Sequence, residues 1–251
     1  METFISDKSR FALESGAKIR CFRRQRKCFS LNWNRLSPKL CRDFPILVLW
    51  GLLAVQTASG QAFTVDTISN AVFQRMQGGS FPEECTIRRT DLRYLRVLHY
   101  DAEGKVHEGE LVCNKMIAQD LIEIFRELYK AHYPIARMQL IDDFGADDEE
   151  SMQANNTSCF CFRQISGSRK LSKHAQGLAI DINPLFNPYV RQQRGGRTVV
   201  QPKTARRWAN RKATSPYKIE KGDLCHRLFL AHGFSWGGAW RSLKDYQHFE
   251  K

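Results

Sequence analysis

No apolar run in this 251-residue chain reaches the roughly twenty residues that a bilayer-spanning helix needs. There is no internal repeat and no low-complexity tract, so collagen, a coiled-coil rod and a multipass membrane protein are excluded. The cysteines lack metal-knuckle and redox-pair spacing. Cys159 and Cys161 stand one residue apart and read as buried structural thiols. The acidic cluster Asp147–Glu150 lacks EF-hand spacing and reads as a solvated loop or helix start. Acidic residues are scarce at one end. Residues 1–60 hold 11 basic and 4 acidic residues, whereas the other 191 hold 28 and 22, so much of the formal +13 lies near the N-terminus. Charge therefore gives little reason to expect a nucleic-acid partner for the body of the chain.

What is present begins with an address. Residues 18–42 are crowded with Arg and Lys. Pro45–Val55 is a short apolar run, and Ala58 and Gly60 give a small-x-small exit. That order describes a secretory signal with cleavage near Gln61, hence an exported, periplasmic or cell-envelope protein. The alternative is an uncleaved N-terminal anchor, the one case in which a membrane is a partner. The expected division is a leader over 1–60 and a single functional domain over 61–251. Downstream of the leader stand Cys85, Cys113, Cys159, Cys161 and Cys225. Export makes a disulfide plausible, and the odd count leaves one thiol free or paired between chains.

The body reads as mixed α and β. Leu92–Tyr100 and Val106–Val112 flank the turn Asp101-Ala-Glu-Gly104, which predicts a hairpin. Met116, Ile117, Leu121, Ile124 and Leu128 recur at helical spacing, predicting an amphipathic helix over 115–132 capped by Asn114. Met138–Ile141 reads as a strand, and Arg191–Lys212 as a basic, Gly-containing solvated loop. His99 and His107 fall in the hairpin and His226 and His232 on a helix after Asp223; the helix dipole is an adequate explanation for His132 and His232 at helix ends. Trp236 and Trp240 could pack in the core or line a groove.

Two short segments concentrate the chemistry. In Ser172-Lys-His174-Ala-Gln-Gly177-Leu-Ala-Ile-Asp181, the stretch Leu178–Ile182 has the apolar density of a buried strand. A carboxylate planted there is costly unless it is paired, hydrogen-bonded or bound to a cation. His174, just before the Gly177 turn, can converge on the same point. In Asp245-Tyr-Gln-His248-Phe-Glu250, His248 would complete two imidazoles and one carboxylate, a donor set that suits catalytic rather than structural zinc. Asp245, three residues earlier, is placed to accept a proton from an attacking water. Spacing leaves a second reading open, a His174–Asp181 salt bridge with His248 on the surface.

At these residues the chain resembles the zinc peptidases that trim bacterial cell-wall peptides. That family includes vancomycin-resistance D-alanyl-D-alanine carboxypeptidases and the L-alanyl-D-glutamate endolysins of phages, with the sonic hedgehog signalling domain as a structural cousin. The likeness rests on Ser172-x-His174-x-x-Gly177-x-Ala179-x-Asp181, Asp245-x-x-His248 and Gly233-Phe-Ser-Trp236-Gly-Gly238. It implies a small α+β domain with a central, mainly antiparallel sheet carrying one zinc ion and flanked by helices. It implies His174, Asp181 and His248 as ligands, Asp245 as general base, Arg163 as substrate holder and charge stabiliser, and Ser172 as a substrate or supporting hydrogen-bond donor. For Arg163, an ion pair with the acidic stretch before it is the competing reading. Many relatives carry Asp after Trp-Gly-Gly where Ala239 stands here, which implies altered support or substrate contacts around the site. The expected activity is hydrolysis of peptidoglycan stem peptides, with an L-Ala-D-Glu-like bond favoured because Asp245 replaces Glu. The alternatives are a D-alanyl-D-alanine carboxypeptidase and, in another class, a zinc-stabilised wall-binding module that does not cut.

Overall fold

A computed structural model describes residues 63–165 and 168–251; the leader proposed over 1–60 lies outside them. The described chain opens with β1 (Thr64–Thr67) and α1 (Asn70–Met76), capped by the Ser69 hydroxyl on the Val72 amide. β2 (Leu92–Tyr100) and β3 (Val106–Asn114) then form the expected hairpin, paired along their full length from Leu92↔Asn114 to Tyr100↔Val106. β1 adds antiparallel to the free edge of β2.

The amphipathic helix is α2 (Ala118–Lys130). Leu121, Ile124, Phe125 and Leu128, three or four residues apart, are all buried, as a helix packed by one stripe requires. Asn114 does not cap it. That residue still belongs to β3, and its amide side chain accepts from the Met116 amide and donates to the Gln176 carbonyl. The helix therefore starts after Ile117, with no side-chain cap. The expected strand at 138–141 is also shorter. β4 is only Arg137–Met138, and Ile141–Phe144 coils into a 3-10 turn closed by Gly145 at φ 65°. The acidic cluster begins α3 (Asp148–Gln153), with Asp147 as its cap, in agreement with a helix start. β5 (Asn156–Thr157) pairs parallel to β4.

Three strands carry the site. β6 (Ala179–Asp181) follows the Gly177 turn. β7 (Tyr189–Gln192) and β8 (Thr198–Gln201) form a hairpin where a solvated loop was expected over 191–212, with α4 (Arg206–Ala209) after it. Val190↔Val200 pairing and the positive φ of Gly195 and Gly196 account for the turn, and the basic side chains lie on its outer positions. α5 (Leu224–Ala231), capped by Asp223, leads to β9 (Ser235–Trp236), β10 (Lys244–Asp245) and β11 (His248–Glu250).

The described residues thus make an α+β arrangement in which antiparallel pairing dominates and helices flank the sheets. The pairing is divided among sheets β1-β2-β3, β10-β7-β8 and β6-β11-β9. One large apolar core joins β2, β3, α2, α5, β6 and β11, and Phe125, Phe229, Ile180 and Phe249 are fully buried in it. All five described cysteines are free thiols, and Cys113, Cys159, Cys161 and Cys225 are buried. Burial pushes the Cys161 thiol up to about 12, so it is inert at neutral pH. No described helix is long and apolar enough to cross a membrane.

Candidate metal centre

Strand register brings the two distant motifs together. β6 and β11 pair antiparallel with Asp181 directly opposite His248, and side chains of directly opposed residues lie on one face. Sixty-seven residues of chain separation collapse to 3.1 Å between Asp181 Oδ1 and His248 Nδ1. His174 arrives from a single 3-10 turn, His174–Gln176. Gly177 ends that turn at φ 67°, where its carbonyl accepts from the Asn114 amide. A Cβ at Gly177 would lie 2.7 Å from the Asn114 nitrogen, so only glycine permits this approach to β3.

The turn presents His174 Nε2 3.2 Å from His248 Nδ1 and 3.4 Å from Asp181 Oδ1. Each imidazole has its other nitrogen tied down. His174 Nδ1–H donates to the Cys159 carbonyl at 2.7 Å, and His248 Nε2–H donates to Glu250 Oε2 at 3.2 Å. The nitrogens that face the common point, His174 Nε2 and His248 Nδ1, are the ones left to offer lone pairs to a cation, His248 after giving up its second proton. Two ligands about 2.05 Å from a tetrahedral ion lie roughly 3.3 Å apart, and the three measured separations bracket that spacing. His174, Asp181 and His248 form the metal-capable group found among the described residues, with donor atoms within 4.8 Å of one another. Three protein donors, two N and one O, fit zinc in a site that leaves a position for solvent or substrate.

The electrostatics follow from the crowding of the three side chains. Burial alone would raise Asp181, yet the imidazoles of His174 and His248 hold its carboxyl far below the usual range. Burial alone would lower His248, but hydrogen bonds to Asp181 and Glu250 hold its imidazolium up to about 10. A dication at this point would replace the proton that His248 otherwise keeps.

Asp245 ends β10, whose backbone pairs with Tyr189 of β7. Its position is set by the hairpin read as a loop from sequence. Gly237 is wedged against it: a Cβ there would meet the Asp245 carbonyl at 2.7 Å, Asp245 Cβ at 2.8 Å and His248 Cβ at 3.3 Å. The absent side chain lets Asp245 and His248 share one small space. Burial raises the Asp245 carboxyl to about 7, and its Oδ1 is buried without a hydrogen-bond partner in the protein. A buried acceptor with nothing to accept from is costly, and one beside a metal group fits a proton-transfer partner.

The remaining expected site residues fall around this group. Arg163 is ion-paired with Asp148 at the start of α3, the competing reading for that residue. The pair is close to the centre, because the charges of His174 and Asp181 both act on Asp148, whose carboxyl burial raises. Ser172 is 5% exposed, and its hydroxyl accepts the Ala175 amide at 3.0 Å. It braces the turn that carries His174, a supporting role, and since the oxygen only accepts there, its own O–H is left to donate. Trp240 stands 5.3 Å from His248, ring to ring, at the edge of the site, whereas Trp236 is in the core.

Sequence reasoning missed Glu250 and the Cys159 carbonyl as the groups that orient the two imidazoles. Glu250 had a signal: residues two apart on a strand share a face, so it must flank His248. A backbone carbonyl has none. Residues 166–251 match a family model described as D-alanyl-D-alanine carboxypeptidase. No solved structure matches the chain. The family match supports the resemblance to the zinc carboxypeptidases and, at that general level, a metallopeptidase acting on peptidoglycan.

Proposed function

We propose that this chain is an exported zinc endopeptidase that hydrolyses a bond next to a D-residue in peptidoglycan stem peptides. The observation that carries the reading is the buried triangle His174, Asp181 and His248 with the unpartnered Asp245 Oδ1 beside it. A wall-binding module has no use for a proton acceptor at that place. Zinc, when held by the three ligands, supplies Lewis acidity for the scissile carbonyl and an acidified solvent nucleophile at neutral pH. Glu250 and the Cys159 carbonyl keep both ligand imidazoles in the tautomer that offers a lone pair inward.

Asp245 takes the proton of the attacking water on Oδ1 and returns it to the departing amine, so the peptide C–N bond breaks as a neutral amine leaves. Arg163, released from Asp148 by an incoming substrate carboxylate, would bind that group through its planar fork. Asp245, shorter than glutamate by a methylene, supports the endopeptidase bond. The family description favours the second reading, removal of a terminal D-alanine. Mass spectrometry of stem pentapeptides incubated with the zinc-loaded protein separates them: the first reading predicts cleavage after L-alanine and the second loss of the terminal D-alanine. Binding without turnover would make the chain a wall-binding module. Export rests on the Pro45–Val55 run, and mature protein starting near Gln61 is its test.

A further inference from the structure

On the other side of β10 from Asp245 lies a cavity of about 540 Å³ that none of the metal-group residues lines. Residues adjacent on an extended strand face opposite ways, and Lys244 and Tyr246, the neighbours of Asp245, both line it. Arg211, Lys218 and Lys221 add three further positive charges, against the single carboxylate of Glu220. That carboxylate is already paired with Lys218 at 2.6 Å. Trp236 and Tyr246 form the apolar walls, and Ala239 contributes no charge.

We propose that this cavity is an oxyanion-binding site, separate from the metal centre, that takes a phosphate-type group. One buried side chain offers it a donor. His226 is 8% exposed, and its Nδ1 accepts the Gly222 amide at 3.1 Å, so the neutral ring carries its proton on Nε2. That Nε2–H has no hydrogen-bond partner among the described residues and belongs to a ring that lines the cavity. The Lys218 ammonium is held against Glu220 and the Arg211 carbonyl, so that pair is neutral and the net positive charge of the wall comes from Arg211, Lys221 and Lys244. Lys244 Nζ uses one donor on the Trp240 carbonyl at 2.6 Å and keeps the others.

The class of anion follows from which donors are free. The Arg211 fork is spent on the Phe186 and Ile219 carbonyls and on Asn187, and its plane stacks on Tyr246. Fork-to-fork recognition of a planar carboxylate is therefore closed. What remains on the lining are ammonium and imidazole point donors, which suit a multiply charged tetrahedral oxyanion better than a planar carboxylate.

The test is isothermal titration of the full chain with inorganic phosphate and, in a second arm, with glutarate. Phosphate should bind more tightly than glutarate. Lys221→Met and Lys244→Met should each weaken phosphate by about tenfold, the usual effect of losing one charged hydrogen bond. Asp181→Asn, which touches the metal group alone, should leave phosphate affinity unchanged. Circular dichroism controls for folding, and His226→Phe, which keeps the ring but removes the Nε2–H donor and should also weaken phosphate, is the second variant if Lys244→Met unfolds. Absence of phosphate binding, affinity indifferent to Lys221, Lys244 and His226, or tighter binding of glutarate would each overturn the assignment.

Discussion

Replacing Glu250 with alanine should weaken zinc binding while leaving the three ligands in place. The carboxylate contacts His248 Nε2 at 3.2 Å and has no role as a ligand. It holds the ring in the tautomer and rotation that aim Nδ1 at Asp181 and His174. Loss of such an outer partner costs about 10- to 100-fold in metal affinity, or about 1.4–2.7 kcal/mol. The Glu250 side chain is 27% exposed, so solvent screens part of the interaction and the expected loss is near the lower figure, about tenfold. Glu250→Gln keeps an acceptor and loses the charge, so it should fall between wild type and alanine. Competition with a chromophoric chelator at fixed pH reads the affinity directly and needs no substrate. An alanine variant that binds zinc as tightly as wild type would refute the orienting role, and an equal loss in both variants would show that charge, not geometry, is what matters.

Asp245→Asn should retain zinc and lose about 10²–10⁴-fold in peptide turnover, measured by product mass spectrometry beside metal analysis. In the metal-free protein His248 keeps its proton to about 10, and zinc needs the neutral ring, so affinity should rise about tenfold per pH unit between 7 and 9 with one proton released. The raised values of Asp245 and His248 mean that both hold protons more tightly folded than unfolded. Their contribution to metal-free stability is present at low pH and is lost as pH climbs through about 7 for Asp245 and about 10 for His248. Thermal unfolding of chelator-treated protein should show melting falling over that window, and a rise would contradict it. Gly177→Ala forces a side chain to φ 67° and 2.7 Å from a backbone nitrogen, and should cost about 2 kcal/mol or more in denaturant unfolding.

The parts of the fold legible in the amino-acid order are those where one physical signal dominates. α2 declared itself through the spacing of Leu121, Ile124 and Leu128, and the β2–β3 hairpin through its turn residues. Asn114 misled because its amide satisfies a neighbouring turn, so a good capping residue was spent elsewhere. The β7–β8 hairpin was hidden by its charge: Arg191, Arg194 and Arg197 look like a solvated loop, while Tyr189, Val190 and Val200 pair beneath them. That hairpin sets the place of Asp245 through Tyr189, a dependence that no local pattern carries. For the metal group the opposite holds. An aspartate inside an apolar strand needs a partner, and His174 and His248 were the residues able to supply one. Their register, Asp181 opposite His248, was visible only after the strands had paired. For Ser172 the sequence left a substrate role and a supporting role open, because a hydroxyl in a motif cannot reveal whether it turns outward to a ligand or inward to the Ala175 amide.

Zinc content is the most direct check on the central claim. Purified protein, dialysed against trace zinc and analysed by elemental mass spectrometry, should hold one ion per chain, and His174→Ala, Asp181→Asn and His248→Ala should each hold far less while keeping their circular dichroism. Wild-type protein without zinc, or three variants that bind as much as wild type, would contradict the account.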